Sequence, residues 1–197
     1  MTAFIAAVTF LIITPGPGVL TTAGVGSAYG FRAGLGYMFG IIFGSLLVMT
    51  SVASGLAAIV FSIPIVRTIL LVASLGYLLY LAFRIATSGT RIAFIETDRP
   101  LGFLNGLTLS IINPKAYAVA TTLFSGFAVL PGNPFFEAAI KIAIFGSISI
   151  PIHFIWLYAG ASLKRLGLST KSMRIINVGM ALAMLAVVAL ALYSSDF

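Results

Sequence analysis

The chain has no cysteine and very little charge. Its 197 residues include one histidine and four Asp or Glu, and charged residues make up 8% of the whole. The lack of cysteine excludes disulfides, thiol redox chemistry and thiolate metal sites. A single histidine, with no acid deep inside an apolar segment, predicts no transition-metal site and no cofactor. The same scarcity argues against an enzyme working inside a membrane, which needs a nucleophile and a base or a cluster of acids.

Long apolar runs take the place of the missing charge. The chain is 60% hydrophobic, and its charge-free runs include residues 1–31, 33–66 and 142–163. A soluble domain carries about 25% charged residues, whereas a membrane-spanning helix needs about 20 apolar residues in a row. The runs are continuous, without the alternation of barrel strands. We therefore predict an all-α integral membrane protein.

Glycine, proline and charged residues divide the chain into six predicted spans. These spans, H1 to H6, cover residues 3–28, 34–61, 65–86, 101–130, 135–163 and 171–194. Of the 11 basic residues, eight lie on the side of the membrane that holds the H1–H2, H3–H4 and H5–H6 connections, and two lie on the other. Because basic loops stay in the cytoplasm, this predicts a multi-pass protein with both termini outside. The same rule explains the net charge of +7 without a nucleic-acid partner.

The two halves of the chain resemble each other. IITP at 12–15 matches IINP at 111–114, and IFGS occurs both at 42–45 and at 144–147. The third match is VRTI at 66–69, which opens H3, with MRII at 173–176, which opens H6. The order predicts a single domain, 1–197, built from a first repeat at 1–86, a cytoplasmic loop at 87–100 and a second repeat at 101–197. Three helices per repeat would make the repeats inverted in the membrane. Chance similarity among apolar residues is the alternative explanation.

Prolines interrupt H1 and H4 at matching places. A proline inside a helix removes one backbone hydrogen bond, so we predict that both helices are broken near the bilayer midplane. Half-helices that start after a break direct free N–H groups at the midplane and suit an anion or carboxylate. The predicted substrate-binding residues are Pro15, Gly16, Pro17, Gly18, Ser45, Asn113, Pro114, Lys115 and Ser147.

Lys115 is the most informative of these residues. A lysine near the bilayer centre costs about 3 kcal/mol on insertion scales, and no acid lies deep enough to pair with it. We expect an unpaired cation that faces a cavity and meets a substrate carboxylate, or that changes its protonation state. The alternative is a lysine whose chain extends along the helix to the membrane surface.

Several weaker signals have structural alternatives. Ser45 and Ser147 are repeat mates that line a cavity or bond to their own helices. His153 is a candidate for proton coupling together with Lys115, or a histidine bonded within the bundle. Three glycines of H2, spaced four residues apart, predict close helix packing, inside the fold or in a homodimer. They are Gly36, Gly40 and Gly44. Glu137 and Lys141, four residues apart, predict an ion pair on a helix surface.

The motifs together resemble a known family. TPGPGV at 14–19, GFRAG at 30–34 and INPKA at 112–116 are similar to those of the LysE/RhtB amino-acid exporters, and the resemblance covers essentially the whole chain. It implies export of an amino acid or derivative across a bacterial inner membrane, in exchange for protons. Family members usually have Asn or Asp where Gly18 stands, and many have an acid where Ser45 stands. Both departures remove groups that could hold an ammonium or a proton, so we predict neutral or anionic substrates over lysine-like ones.

The predicted function is therefore a secondary transporter that exports amino acids or related small carboxylates by alternating access. Its partners would be a small-molecule substrate, the lipid bilayer and, through the glycines of H2, a second copy of the chain. Two alternatives stay open: a membrane scaffold or assembly subunit that transports nothing, and an exporter of an anion other than an amino acid. Two broken helices and a lysine at the midplane favour transport, because a scaffold needs neither.

Overall fold

A computed structural model describes residues 1–55 and 101–166, with isolated positions between 62 and 83 and between 169 and 182. The helices of the two continuous ranges are α1 Thr2–Ile13, α2 Pro17–Tyr29, α3 Phe31–Ala53, α4 Phe103–Ile112, α5 Pro114–Ser125 and α6 Pro134–Arg165. These ranges contain no strand, so the all-α prediction is confirmed for them. Most of H3 and H6, the loop at 87–100 and three residues of the third repeat match lie outside the described residues.

The predicted break in H1 separates α1 from α2. The two helices are bent by 51° relative to each other, and residues 14–16 join them. Pro15 has no N–H to continue α1, while Pro17 occupies the first position of α2, where its missing N–H costs nothing. A single residue, Gly30, then connects α2 to α3 at a φ of +87°, which an L side chain rarely adopts.

The second break, in H4, is shorter. Only Asn113 separates α4 from α5, with extended backbone angles of φ −79° and ψ 112°. Pro114 begins α5, and the Asn113 side-chain oxygen accepts the N–H of Lys115 at 3.1 Å as a cap. H4 therefore breaks where the sequence predicted, but it also ends earlier. α5 stops at Ser125, and residues 126–133 are not helical.

The predicted ends of H2 and H5 differ in accuracy. α3 ends at Ala53, earlier than the predicted residue 61, because Ser54 and Gly55 form a turn and Gly55 has a φ of +77°. Pro64 is therefore not what ends this helix. α6 agrees with H5 and continues through Pro151 without a break.

Glycines bring the helices close together. A Cβ on Gly40 would collide with the Phe103 carbonyl, and one on Gly44 would lie 2.6 Å from the Ser110 Cβ. Gly106 of α4 meets the Tyr37 carbonyl in the same way, whereas Gly36 makes only an ordinary contact with Phe103. The H2 glycines thus serve the packing of α3 against α4 inside the fold.

The interior and exterior surfaces of the bundle are both apolar. The largest buried cluster joins α1, α3, α5 and α6 through Phe4, Val8, Val48, Met49, Val119, Leu123, Phe145 and Ile152. Large side chains such as Phe10, Phe43, Leu104 and Ile155 face outward. Two described helices, α3 and residues 134–163 of α6, are long and apolar enough to cross a membrane, and the bent pair α1–α2 makes a third. The chain is an integral membrane protein.

Candidate functional site

The two helix breaks meet at a partly enclosed cavity. Its volume of about 60 Å³ has room for a few water molecules. The polar residues that line it are Ser45, Ser110, Asn113, Lys115 and His153. The rest of the lining is formed by Gly16 and Gly18 and by the apolar side chains of Leu11, Ile12, Val19, Ile41, Ala116, Val119 and Phe145. No acidic side chain is among the described residues that line it.

Lys115 connects the two breaks. Its Nζ donates a hydrogen bond of 2.6 Å to the backbone carbonyl of Thr14, the residue that caps the end of α1. Because carbonyls at a helix C-terminus carry partial negative charge, this is a favourable place for a cation. Lys115 thus has a neutral hydrogen-bond partner, and no acid among the described residues forms an ion pair with it.

The lysine occupies the space that a side chain at Gly16 would need. A Cβ on Gly16 would lie 2.7 Å from the Lys115 Cδ and 2.9 Å from its Nζ. Gly16 follows Pro15 as Lys115 follows Pro114, so the two are equivalent positions in the proposed repeats. Position 16 needs glycine because the side chain of Lys115 fills the space beside it.

The N-terminus of α2 faces the cavity with the lysine. The first backbone bond of α2 runs from the Leu20 N–H to the Gly16 carbonyl at 3.0 Å. The N–H groups of Gly18 and Val19 consequently have no partner within the helix, and both residues line the cavity. Together with Lys115, these donors and the positive end of the α2 dipole make one part of the cavity suited to a carboxylate.

A pair of serines joins α3 to α4 beside the cavity. The Ser45 and Ser110 hydroxyls are 2.8 Å apart, and the Ser110 hydroxyl also donates to the Ile41 carbonyl at 3.0 Å. Ser110 is buried, whereas Ser45 is partly exposed. The contact of Gly44 with Ser110 makes this approach possible, because any larger residue at 44 would push α4 away.

His153 reaches the cavity from α6 and is 5% exposed. Its Nδ1 lies 2.9 Å from the Ser149 carbonyl and 3.2 Å from the Ser149 hydroxyl. Its Nε2 points toward the start of α2, 3.9 Å from where a Cβ on Gly18 would be. The histidine is thus both bonded within its own helix and in contact with the cavity.

Other predicted residues lie elsewhere. Pro15, Pro17 and Pro114 shape the breaks but do not line the cavity. Ser147 is exposed, and its hydroxyl donates to the Ala143 carbonyl of its own helix at 2.8 Å. The structure brings Ser45 to the cavity and leaves its repeat mate Ser147 outside.

Sequence reasoning missed Ser110 and the carbonyl of Thr14. Ser110 lies in the apolar run LTLSII. Pro15 and Pro114 are 99 residues apart, and the residue 99 positions before Ser110 is Leu11, so the sequence similarity gave no signal for a serine here. A backbone acceptor has no signature in the sequence at all. Only the contact between Gly44 and Ser110 would have indicated Ser110, and the sequence does not show which residues are in contact.

The ion pair of Glu137 and Lys141 is not on a helix surface as predicted. Lys141 is 2% exposed, and its Nζ lies 2.8 Å from the Glu137 carboxylate. The same Nζ donates to the carbonyls of Phe124 and Phe127, and Glu137 accepts the Val129 N–H at 2.9 Å. Lys141 is buried and Glu137 is partly exposed, and together they fasten the non-helical residues after α5 to α6.

Comparison with known proteins agrees with these features. The family profile described as LysE type translocator matches residues 9–195. The chain is 27% identical over 161 residues to a cysteine/O-acetylserine efflux protein of Escherichia coli O1:K1 / APEC. It is 30% identical over 159 residues to the protein of that name in Salmonella choleraesuis (strain SC-B67); each match covers 78% of both chains. No solved structure gives a significant match.

The match extends over nearly the whole chain, and the members of this family are transporters and not enzymes. Members of this family are bacterial inner-membrane proteins. The chain belongs to the LysE type translocator family.

Proposed function

We propose that this protein exports a small amino acid, or a closely related carboxylate, across the bacterial cytoplasmic membrane by alternating access in exchange for protons. The observation that carries the proposal is the cavity between the two helix breaks, with Lys115 on one side and no acid among its described lining residues. In a translocator, such a cavity is the place where a substrate would bind.

The carboxylate of the substrate would bind between Lys115 and the start of α2. Lys115 Nζ donates to the neutral Thr14 carbonyl. A carboxylate would form a stronger, charge-assisted bond with the same Nζ and could also accept the N–H groups of Gly18 and Val19. Lys115 would then exchange its bond to the Thr14 carbonyl for a bond to the substrate. Substrate binding would thereby break the contact between the two helix breaks.

The size and lining of the cavity support a small substrate. Seven of the lining side chains are apolar, and the space of about 60 Å³ would need to widen for a bulky amino acid. The relatives named above are efflux proteins for cysteine and O-acetylserine, both small and uncharged in the side chain. We propose substrates of that class for this chain.

The proposed architecture has six spans in two inverted repeats, 1–86 and 101–197, with the loop 87–100 in the cytoplasm and both termini outside. Support comes from the similar breaks at IITP and IINP, because a helix with proline at its first position begins at each break, α2 at Pro17 and α5 at Pro114. Rocking of one repeat against the other around a fixed site is a recurring way to alternate access. His153 and Lys115 are the proposed proton-coupling groups, because both line the cavity.

A second copy of the chain remains a predicted partner without an assigned surface. The H2 glycines Gly40 and Gly44 pack against α4 within the fold, so they do not supply that surface. The second candidate function is export of an anion that is not an amino acid. It is favoured by the lack of an acid among the described cavity residues, and the experiment below tests it directly.

The test is efflux from proteoliposomes loaded with labelled amino acids and, separately, with carboxylates that lack an amino group. It compares the wild type with Lys115→Met and with Thr122→Val, an exposed α5 control whose hydroxyl bonds only to Ala118. We expect saturable amino-acid efflux that rises with an inward proton gradient. Lys115→Met should lower this efflux by about 10-fold or more, because it removes a charged hydrogen bond. Efflux of carboxylates alone would favour the anion exporter, and no efflux from folded protein would favour the scaffold.

A further inference from the structure

The hydrogen bonds of the serine pair fix the direction in which Ser45 can act. A hydroxyl has one hydrogen, and Ser110 gives its hydrogen to the Ile41 carbonyl, which can only accept. In the Ser45–Ser110 contact of 2.8 Å, Ser45 must therefore be the donor. Both lone pairs of the Ser45 oxygen stay available, so this hydroxyl presents an acceptor to the cavity.

The same reasoning applies to His153. The Ser149 carbonyl at 2.9 Å can only accept, so Nδ1 carries the hydrogen. In the neutral ring Nε2 is then an acceptor, and it points at Gly18 from inside the cavity. Because the ring is 5% exposed, a donor to Nε2 would have to come from the cavity.

The cavity thus contains a cation near Gly16 and neutral acceptors near Gly18 and on α3. An amino acid has the matching pattern, a carboxylate and an ammonium separated by one carbon. We infer that Ser45 and His153 form an acceptor subsite for the ammonium group of a zwitterionic substrate, and so do the work that an acidic side chain would otherwise do. The inference rests on the proposed function and narrows it to zwitterions.

Neutral acceptors would select differently from an acid. A site built to hydrogen-bond an NH group rejects an analogue that lacks the group, because its acceptors are left unpaired. A plain amine would be rejected as well, because it leaves Lys115 without a carboxylate. Substrates with a second positive charge would find no acid among the described cavity residues to receive it.

The experiment uses three probe pairs that differ by one amino group. They are L-serine and 3-hydroxypropanoate, L-cysteine and 3-mercaptopropanoate, and O-acetyl-L-serine and 3-acetoxypropanoate. Efflux of each is measured from proteoliposomes that contain wild type, Ser45→Ala, His153→Leu, His153→Gln or Ser147→Ala. Ser147→Ala is the matched control, because its hydroxyl is exposed and bonds within its own helix. Ser45→Ala should fold, since Ser110 keeps its bond to Ile41.

We expect the wild type to prefer the amino acid of at least one pair by about 10-fold or more in kcat/KM, as the loss of a hydrogen bond to a charged group implies. Ser45→Ala and His153→Leu should lower amino-acid efflux by a larger factor than efflux of the partner carboxylate, so that the preference of each variant falls. His153→Gln should keep the preference, because the amide oxygen still accepts, and Ser147→Ala should match the wild type.

Equal efflux of both members of every pair by the wild type would overturn the inference while leaving a transporter. Equal losses for both members in Ser45→Ala and His153→Leu would also overturn it, since that pattern belongs to a structural role. Loss of the preference in His153→Gln would refute the acceptor role of His153, whether or not the pH dependence of efflux changes. Wild-type protein that transports none of the six probes would refute the proposed function itself.

Discussion

Lys115 and Lys141 are both enclosed by the bundle, but they are neutralised differently. Each donates to carbonyls at the C-terminal end of a half-helix, Lys115 at α1 and Lys141 at α5. Lys141 also has the carboxylate of Glu137 at 2.8 Å, whereas no described residue gives Lys115 an acid. We call the Lys141 site closed because it already contains a carboxylate. We call the Lys115 site open because an anionic ligand could supply the carboxylate that it lacks.

Their positions agree with this distinction. Lys141 lies 5.9 Å from the centre of the Phe4 ring and 5.4 Å from that of Phe124, away from the cavity and sealed by aromatic groups. Lys115 lines the cavity and contacts the first break. A charge that is fully paired gives stability to the fold, whereas a charge that lacks a counterion is available for binding. Four substitutions test this comparison.

The largest effect is expected for Lys141→Met, and it should fall on folding. The change leaves the Glu137 carboxylate and the carbonyls of Phe124 and Phe127 without their donor. Leaving partly buried acceptors without their donor is destabilising, so we expect the midpoint of thermal unfolding in detergent to drop by roughly 10 °C. Lys115→Met is the control and should shift the midpoint far less. Similar shifts for the two variants would contradict the distinction between closed and open sites.

Gly16→Ala should weaken the open site without unfolding the protein. The new methyl group would overlap the Lys115 Cδ and Nζ, and the flexible side chain can move away at little cost. Displacing Nζ from the Thr14 carbonyl and from the carboxylate position should lower efflux about 10-fold, the effect of one charged hydrogen bond. Gly36→Ala is the matched control, because a Cβ there makes only an ordinary contact. Wild-type efflux in Gly16→Ala would show that the position of Lys115 is unimportant.

Gly18→Asp should convert the open site into one more like that of Lys141. A Cβ at Gly18 meets only the Ile41 Cγ2 at 3.5 Å and the His153 Nε2 at 3.9 Å, so the side chain fits. The added carboxylate would compete with anionic substrates for the positive groups of the cavity. We expect efflux of carboxylates without an amino group to fall about 10-fold while amino-acid efflux is kept. Gly18→Asn separates charge from size; equal effects of Asp and Asn would refute the electrostatic explanation.

Asn113→Ala should have the smallest effect. It removes the cap of α5, whose oxygen accepts the Lys115 N–H at 3.1 Å, and cap loss costs about 1 kcal/mol. Asn133→Ala removes the equivalent cap of α6, where the side chain accepts the Phe136 N–H at 3.2 Å. Both variants should lose similar stability, measured by thermal unfolding, but only Asn113→Ala should slow efflux. A similar slowing in Asn133→Ala would mean that efflux follows stability and not the placement of Lys115.

The helix ends illustrate how much of the fold can be predicted. The breaks at Pro15 and Pro114 and the start of α6 at Pro134 could be predicted, because proline lacks an N–H wherever it stands. The ends at Ala53 and Ser125 could not. They depend on Gly55, and on a loop that Glu137 and Lys141 fasten from another helix.

The candidate site shows the same division. Gly16, Gly18, Asn113 and Lys115 were predicted from the breaks, and Ser45 and His153 as weaker signals; all six line the cavity. Ser147 had the same signal as Ser45 and faces outward. The IFGS similarity of the two serines does not separate them, because it does not specify which side of each helix faces the cavity.

The amino-acid sequence by itself determined that this chain enters a membrane, that its helices break at Pro15 and Pro114, and that a lysine follows one break. Apolar content, missing N–H groups and charge are properties of residues alone. Tertiary structure decided that Lys115 meets the Thr14 carbonyl across 101 residues and that Ser110 meets Ile41 across 69. These contacts depend on how closely helices pack and which atoms then come within hydrogen-bonding distance, and that is a property of the folded bundle.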